Sequence, residues 1–223
     1  MNKSIALLSR RTDISRESFQ DYYETRHAPL ASSHFPFAKY VRNHLLSLPD
    51  IGFDTVSEFW SDDYATIAAV LGSTVGDMIR EDERRFMDQS MIRSALSTEC
   101  LIHGPARHVE RAPRSRVAVL VGRGGDLGDD VFVERLEAYG HTLATEAGEQ
   151  VTRVTLDVFQ TFPGMTFPYA AILWLWLQDE RQVPLGAAPS AGIDVQGVVL
   201  TRSCETPPEV MAEARRKQRE GQS

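Results

Sequence analysis

Cysteine is scarce: Cys100 and Cys204 are the only two in 223 residues. That is too few for a disulfide scaffold, and the CxxC spacing of a zinc site is missing; both read as reduced, half-buried strand residues. Positive charge is in deficit, with 24 Lys and Arg against 31 Asp and Glu and a net charge of -7. No basic face is left for phosphates, which excludes nucleic acid as a partner. Long apolar runs are lacking as well. No stretch approaches the ~18 apolar residues of a membrane helix, so no membrane is expected, and the start, MNKSIALLSRRTD, has too short an apolar run for a signal peptide. The expected location is the cytoplasm. The six histidines include no HExxH and no i, i+4 pair, so no metal is expected. Gly122 to Gly128, GRGGDLG, fits neither a P-loop nor a GxGxxG spacing and reads as a turn, and no cofactor is expected.

What is present is an ordinary globular composition, 42% apolar and 25% charged. Lys3 to Ser9 reads as a first strand. Ser15 to Leu30, SRESFQDYYETRHAPL, reads as an amphipathic helix with Phe19, Tyr22, Tyr23 and His27 at helical spacings, ended by Pro29. His27 then sits where the chain turns, placed either to cap the last carbonyls or, with a pKa near ~6.5, to move protons. Ala38 to Leu48 is extended, with Tyr40, Arg42 and His44 on one face and Val41, Asn43 and Leu45 on the other. A turn follows at Pro49, Asp50 and Gly52. Phe53 to Ser61 sets Asp54, Val56, Glu58 and Trp60 on one face against Thr55, Ser57 and Phe59. Two helical pieces follow, Tyr64 to Leu71 and one from about Thr74, the latter with Ile79, Phe86 and Met87 inward and Asp82, Glu83, Arg84, Arg85 and Asp88 on a solvated face. Ile92 to His103 closes a β-α-β-β-α-β unit, the split βαβ pattern.

After a Pro- and Arg-rich linker at 105–115 the pattern returns: strand Arg116–Gly122, helix Asp129–Ala147, strands Val151–Phe162, Phe167–Leu177 and Ile193–Cys204. A constant shift of 114 lays His27 on His141, Pro49 on Pro163, Phe53 on Phe167 and Trp60 on Trp174. The same shift turns Asp54 into Pro168, Glu58 into Ile172, His44 into Val158 and Tyr23 into Glu137. The second copy keeps packing residues and loses polar ones, and its stretch from Gln178 to Ser190 is too short for the second helix. The chain therefore divides into a site-bearing repeat at 1–104, a degenerate repeat at 116–205 and a charged tail at 206–223. The expected fold class is α+β, two tandem ferredoxin-like βαββαβ repeats packed sheet to sheet as an intramolecular α/β barrel, with a ligand cavity between the sheets.

FQDYYETRHAPLA, YVRNHL, FDTVSEFW, DERRFMD and STE, taken together, resemble the EthD family of the dimeric α/β-barrel superfamily. The resemblance covers about residues 3 to 103 well and 116 to 204 as a weaker copy. It implies ferredoxin-like units paired face to face, here within one chain, and maps the family's recurrent histidine to His27 and its strand asparagine and acidic positions to Asn43, Asp54 and Glu58. Some relatives act as dehydratases, decarboxylases or cyclases, and related barrels include cofactor-free monooxygenases, isomerases and some haem enzymes.

The function expected from this is an acid/base lyase or isomerase without a cofactor, acting on a small hydrophobic oxygenated metabolite such as a phenolic, polyketide-like or aromatic-degradation intermediate. His27 would move the proton, with Glu58 or Asp54 orienting it; Tyr23, Tyr40, Asn43, His44, Trp60 and Trp174 would contact the substrate. Two rivals share the cavity: a non-catalytic small-molecule-binding accessory protein and a cofactor-free monooxygenase. A second copy of the chain is left open as a partner.

Overall fold

The computed structural model describes residues 2–46, 51–106, 110, 112, 114–179 and 186–220, with no side-chain description at 214, 215 and 217–219. The turn expected at Pro49–Asp50, most of the linker's centre and the end of the tail lie outside the described residues.

The first half runs β1 (Asn2–Leu8), α1 (Arg16–Tyr22), a single π turn (Tyr23–His27), α2 (Ala28–His34), β2 (Lys39–Leu45), β3 (Thr55–Ser61), α3 (Tyr64–Leu71), α4 (Thr74–Glu83) and β4 (Arg93–His103). The second half runs β5 (Arg114–Arg123), α5 (Asp129–Ala147), β6 (Val151–Thr161), β7 (Ala171–Leu177) and β8 (Ile193–Glu205), and α6 (Pro208–Glu220) follows. Each half has its strands in the same order, β4-β1-β3-β2 and β8-β5-β7-β6, and all neighbouring pairs are antiparallel. The halves then join edge to edge, β2 with β8 and β4 with β6, into one closed eight-stranded barrel. Closure pairs both edges of both sheets and leaves none open. This is the two-repeat α/β barrel within one chain.

Two expectations need correction. Pro29 does not end the opening helix. Ser15 caps α1 by accepting from the Ser18 amide, and the ladder shifts by one residue at the π turn, where the Ala28 amide reaches the Tyr23 carbonyl. Pro29 then falls in the first turn of α2, where its missing N–H is tolerated, and the helical path runs on to His34. Among the described residues the space between the sheets is also largely filled by side chains, and the cavity that touches it is bordered by Lys3, Trp60, Ser97 and Glu99. Eight strands enclose a lumen just wide enough for side chains, and it is filled at one level by Ile5, Leu7, Leu45, Val56, Leu120, Ile172 and Trp174 and at another by the ion network described below.

Each half has a second core outside the barrel, between its sheet and its helices. In the second half α5 lays Phe132, Leu136, Tyr139 and Leu143 onto Val117, Val119, Leu173 and Leu175. In the first half Phe19, Tyr23, Ala31, Phe35, Ile79 and Phe86 cover Ala6, Leu8 and Tyr40, joined by Met211 of α6. The C-terminal helix, which follows the second repeat, thus packs on the first, since α6 lies against α2.

Candidate functional site

Period-two alternation divides the strand residues between barrel and helix layer, and the division decides which groups meet. Lys3 of β1 pairs across to Trp60, Ile5 to Glu58, and Val41 to Glu58, so these side chains point into the barrel. There the Lys3 ammonium lies 2.6 Å from Glu58, 2.7 Å from Glu99 and 2.6 Å from Asp157. Arg116 meets Glu58 at 3.1 Å and Glu110 at 3.0 Å. Asn43 donates to Glu58 at 2.7 Å and accepts from Ser203. Asp157 also accepts from the Trp174 indole at 2.8 Å and from Ser97 at 2.6 Å. Burial, with Glu58 and Glu99 close by, pushes the Asp157 carboxyl up to about 6 against the pull of Lys3. Burial works against the charge of Glu58 too, but Lys3 and Arg116 outweigh it and hold its pKa below the usual range.

The other face of the same sheet carries different chemistry. Its helix layer borders a half-open cavity of about 500 Å³ lined largely by apolar side chains, among them Phe35, Phe37, Phe59, Ile67, Ile79 and Met87. Tyr23, Tyr40 and His27 are on its wall, and Phe162 and Met165 reach it from the β6–β7 connection of the second half. His27 is 5% exposed. Its Nδ1 lies 2.9 Å from Asp82 of α4, and Asp82 accepts from the Tyr22 hydroxyl at 2.6 Å through its other oxygen. Burial works against the Asp82 charge, but the bonds to His27 and Tyr22 win and hold its carboxyl below the usual range. An ionised carboxylate requires an N–H at Nδ1, so the neutral ring keeps its lone pair on Nε2. Nε2 makes no hydrogen bond among the described residues. The ring is packed edge-on to Tyr23 at 5.2 Å and against Phe86 at 5.1 Å. An imidazole oriented by a carboxylate beside an apolar cavity is equipped to take and return a proton.

The sequence-derived residues divide as follows. His27, Tyr23 and Tyr40 meet at the cavity, where the Tyr40 hydroxyl donates to Tyr23 at 2.8 Å and Tyr23 bonds Ser57 at 2.7 Å; burial pushes Tyr23 up to about 12. Glu58, Asn43, Trp60 and Trp174 point into the barrel, with the sheet between them and His27. A pairing of Glu58 with His27 is therefore ruled out. Asp54 lies just before β3 and is spent on structure, accepting from the Arg10 amide and from Arg16 Nε, each at 2.9 Å. His44 faces the helix layer but is fully buried, between Thr55 at 2.8 Å and Glu24 at 2.6 Å. Burial lowers its pKa, with Glu24 opposing.

Asp82 was expected on the solvated face. It is three residues after Ile79 and four before Phe86, both buried, so the helical period already places it beside the inward stripe. The counterpart His141 is exposed on α5, and the layer over the second sheet is filled by side chains.

Among the described residues, two groups could offer metal ligands. Glu24, His44 and Cys204 lie within 4.8 Å of one another, but Arg42 bonds both oxygens of Glu24, at 3.0 and 2.6 Å. Glu58, Glu99 and Asp157 already surround Lys3, which a cation would have to displace. Both cysteines are free and half-buried. No helix among the described residues is long and apolar enough to cross a membrane.

Residues 11–90 match the model of the EthD domain. Among solved structures, an anthrone oxidase-like protein is similar at 9% identity with a TM-score of 0.57, covering 92% of this chain and 92% of that one. A putative chlorite dismutase is similar at 11% identity with a TM-score of 0.52, covering 96% of this chain and 100% of that one. At these identities the likeness is one of fold. No curated protein sequence matches the chain.

Proposed function

We propose that this chain, which carries an EthD domain over residues 11–90 of a two-repeat α/β barrel, is an acid/base enzyme, an isomerase or lyase, acting on a small apolar oxygenated metabolite. The substrate would occupy the cavity between the first sheet and its helices. His27 would be the catalytic acid/base and Asp82 its positioning residue. The observation that carries this reading is the 2.9 Å bond between His27 Nδ1 and Asp82 at the wall of an apolar space of about 500 Å³. General acid/base help of this kind contributes about 10² to 10⁴-fold in rate.

Proton exchange at a carbon provides a test before the natural substrate is known. The bicyclic ketone 2-tetralone, incubated with the protein in D₂O, should exchange its α-hydrogens faster than in buffer, followed by proton NMR. His27→Ala should remove the acceleration, and Asp82→Asn should reduce it and alter its pH profile. Acceleration that persists in His27→Ala would sink the assignment. Ketone binding with no acceleration in the wild type would favour the accessory binding protein, and oxygen consumption with an electron-rich phenol would favour the monooxygenase.

A further inference from the structure

The cavity beside His27 has a buried end and an open one, and exposure locates the opening. Of the side chains on its wall, Tyr23, His27, Phe35 and Tyr40 are buried, whereas Ala68, Leu71 and Met165 are exposed. Ala68 and Leu71 are neighbours on one face of α3. None of the eight residues of that apolar helix is buried, as expected of a helix that borders open space. Met165 comes from the other half, in the connection between β6 and β7. It is 51% exposed, more than any other large apolar side chain among the described residues. The turn that carries it holds its shape without a ligand. In Phe162-Pro163-Gly164-Met165 the Met165 amide donates to the Phe162 carbonyl at 3.0 Å, and Gly164 has a φ of 76°. Proline at the second position and a positive-φ glycine at the third are what a type II turn asks for, and such a turn brings its first and fourth residues close together. Both of these, Phe162 and Met165, are on the cavity wall. The base of the connection is fixed as well: the Phe159 amide donates to the Ala170 carbonyl at 3.0 Å, and the Phe167 ring stands edge-on to Phe159 at 4.7 Å.

Resting on the reading of this cavity as the substrate site, we propose that Phe162 and Met165 are its specificity-determining residues. The first repeat holds the reacting end of the ligand at the buried end, and the second repeat selects what lies in the mouth. The ligand class is then an oxygenated ring compound carrying an apolar tail, an alkyl chain of a few carbons, on the side away from the reacting carbon. Leu71 and Met165 leave apolar surface in water on the wall of the mouth, and a tail laid over them removes that surface and its own from solvent. Each methylene so buried strengthens binding by about fourfold. The unbranched thioether of Met165 can follow tails of different shape, while the proline and glycine beneath it fix where it stands. The site of the first repeat is therefore incomplete without the second.

The test titrates the protein with 2-tetralone and with its 6-butyl derivative, which differ in the tail alone, by calorimetry or NMR. The wild type should bind the butyl compound about 10-fold more tightly. Met165→Ala and Phe162→Ala should each cut that ratio by about threefold, and the double variant should bring it to about one. Met165→Leu, which keeps an apolar side chain of similar volume, should preserve it. Met165→Glu, a change at an exposed position that spares the core, should lower the affinity for the butyl compound more than that for 2-tetralone. A ratio near one in the wild type overturns the proposal, as does a ratio that survives the double variant or a wild type that binds neither compound. The chemistry of His27 is judged separately, by α-hydrogen exchange of the same ketones. Exchange in the wild type with a ratio indifferent to Met165 removes the role of the turn and leaves His27 standing. A ratio that follows Met165 without any exchange keeps the mouth and removes the acid/base step.

Discussion

The two halves of the barrel share a strand order and differ in what lies over the sheet. Over the second sheet a single 19-residue helix, α5, packs its Phe132, Leu136 and Leu143 flush against the strands. Over the first, the helical path is broken at the π turn, and α3 and α4 stand between β3 and β4. Among the described residues the second half has no helix between β7 and β8. That difference accounts for the fate of the two matched histidines. His27 meets Asp82 because the first half has an α4 to supply it, while His141 has no such partner helix and faces solvent. The first half keeps the covering elements that border the cavity beside His27, and the other half contributes closure, a barrel wall and two cavity residues, Phe162 and Met165.

The sharpest way to break this comparison is through the groups that tie the halves together. Lys3 bonds Glu58 and the half-buried Glu99 from the first half and Asp157 from the second, and Lys3, Glu58 and Asp157 are buried. Lys3→Met keeps the side-chain volume and leaves three carboxylates facing one another, at an expected cost of about 3–5 kcal/mol in urea unfolding. A cost within experimental error of zero would mean that the network does not hold the barrel. Next comes the histidine pair. His27→Ala should lower α-exchange by about 10² to 10⁴-fold, whereas His141→Ala should change neither exchange nor stability measurably; equal effects would erase the distinction between the halves.

The smallest effect concerns acid. Glu24 sits on the π turn, and although burial opposes its charge, the bonds from His44 and Arg42 hold its pKa at about 2. A carboxyl depressed in the fold stabilises above its unfolded value, ~4.3, and that contribution is lost as the pH falls from there toward 2. The unfolding midpoint should therefore drop between about pH 4.5 and 2, and Glu24→Gln should flatten that limb. An unchanged slope would place the acid sensitivity in other depressed carboxyls, Asp82 and Glu58 among them.

Much of the fold was legible in the sequence because it is written in local period. Alternation in YVRNHL and TVSEFW sorted the strand residues to their observed faces, and the shift of 114 that aligns Trp60 with Trp174 puts both on the third strand of their halves, pointing into the barrel. Alternation states which residues share a face without stating which face borders a cavity. Glu58, Asn43 and Trp60 were grouped correctly with one another and wrongly with His27, because the expected cavity was placed inside a lumen that eight strands leave only wide enough for side chains. Asp54 was misjudged for another reason: just outside β3, it no longer obeys the strand's alternation.

By itself, the sequence determined the elements, the repeat and the presence of a histidine on an amphipathic helix, since these follow from hydrophobic spacing and capping over a few residues. Only the tertiary structure decided which partner that histidine meets. Asp82 is 55 residues away on another helix, and α4, which brings it to 2.9 Å, is seated by Ile79 in the same buried cluster as Phe86 just beyond its end. Contacts between elements depend on how whole faces close against one another, which no local period records.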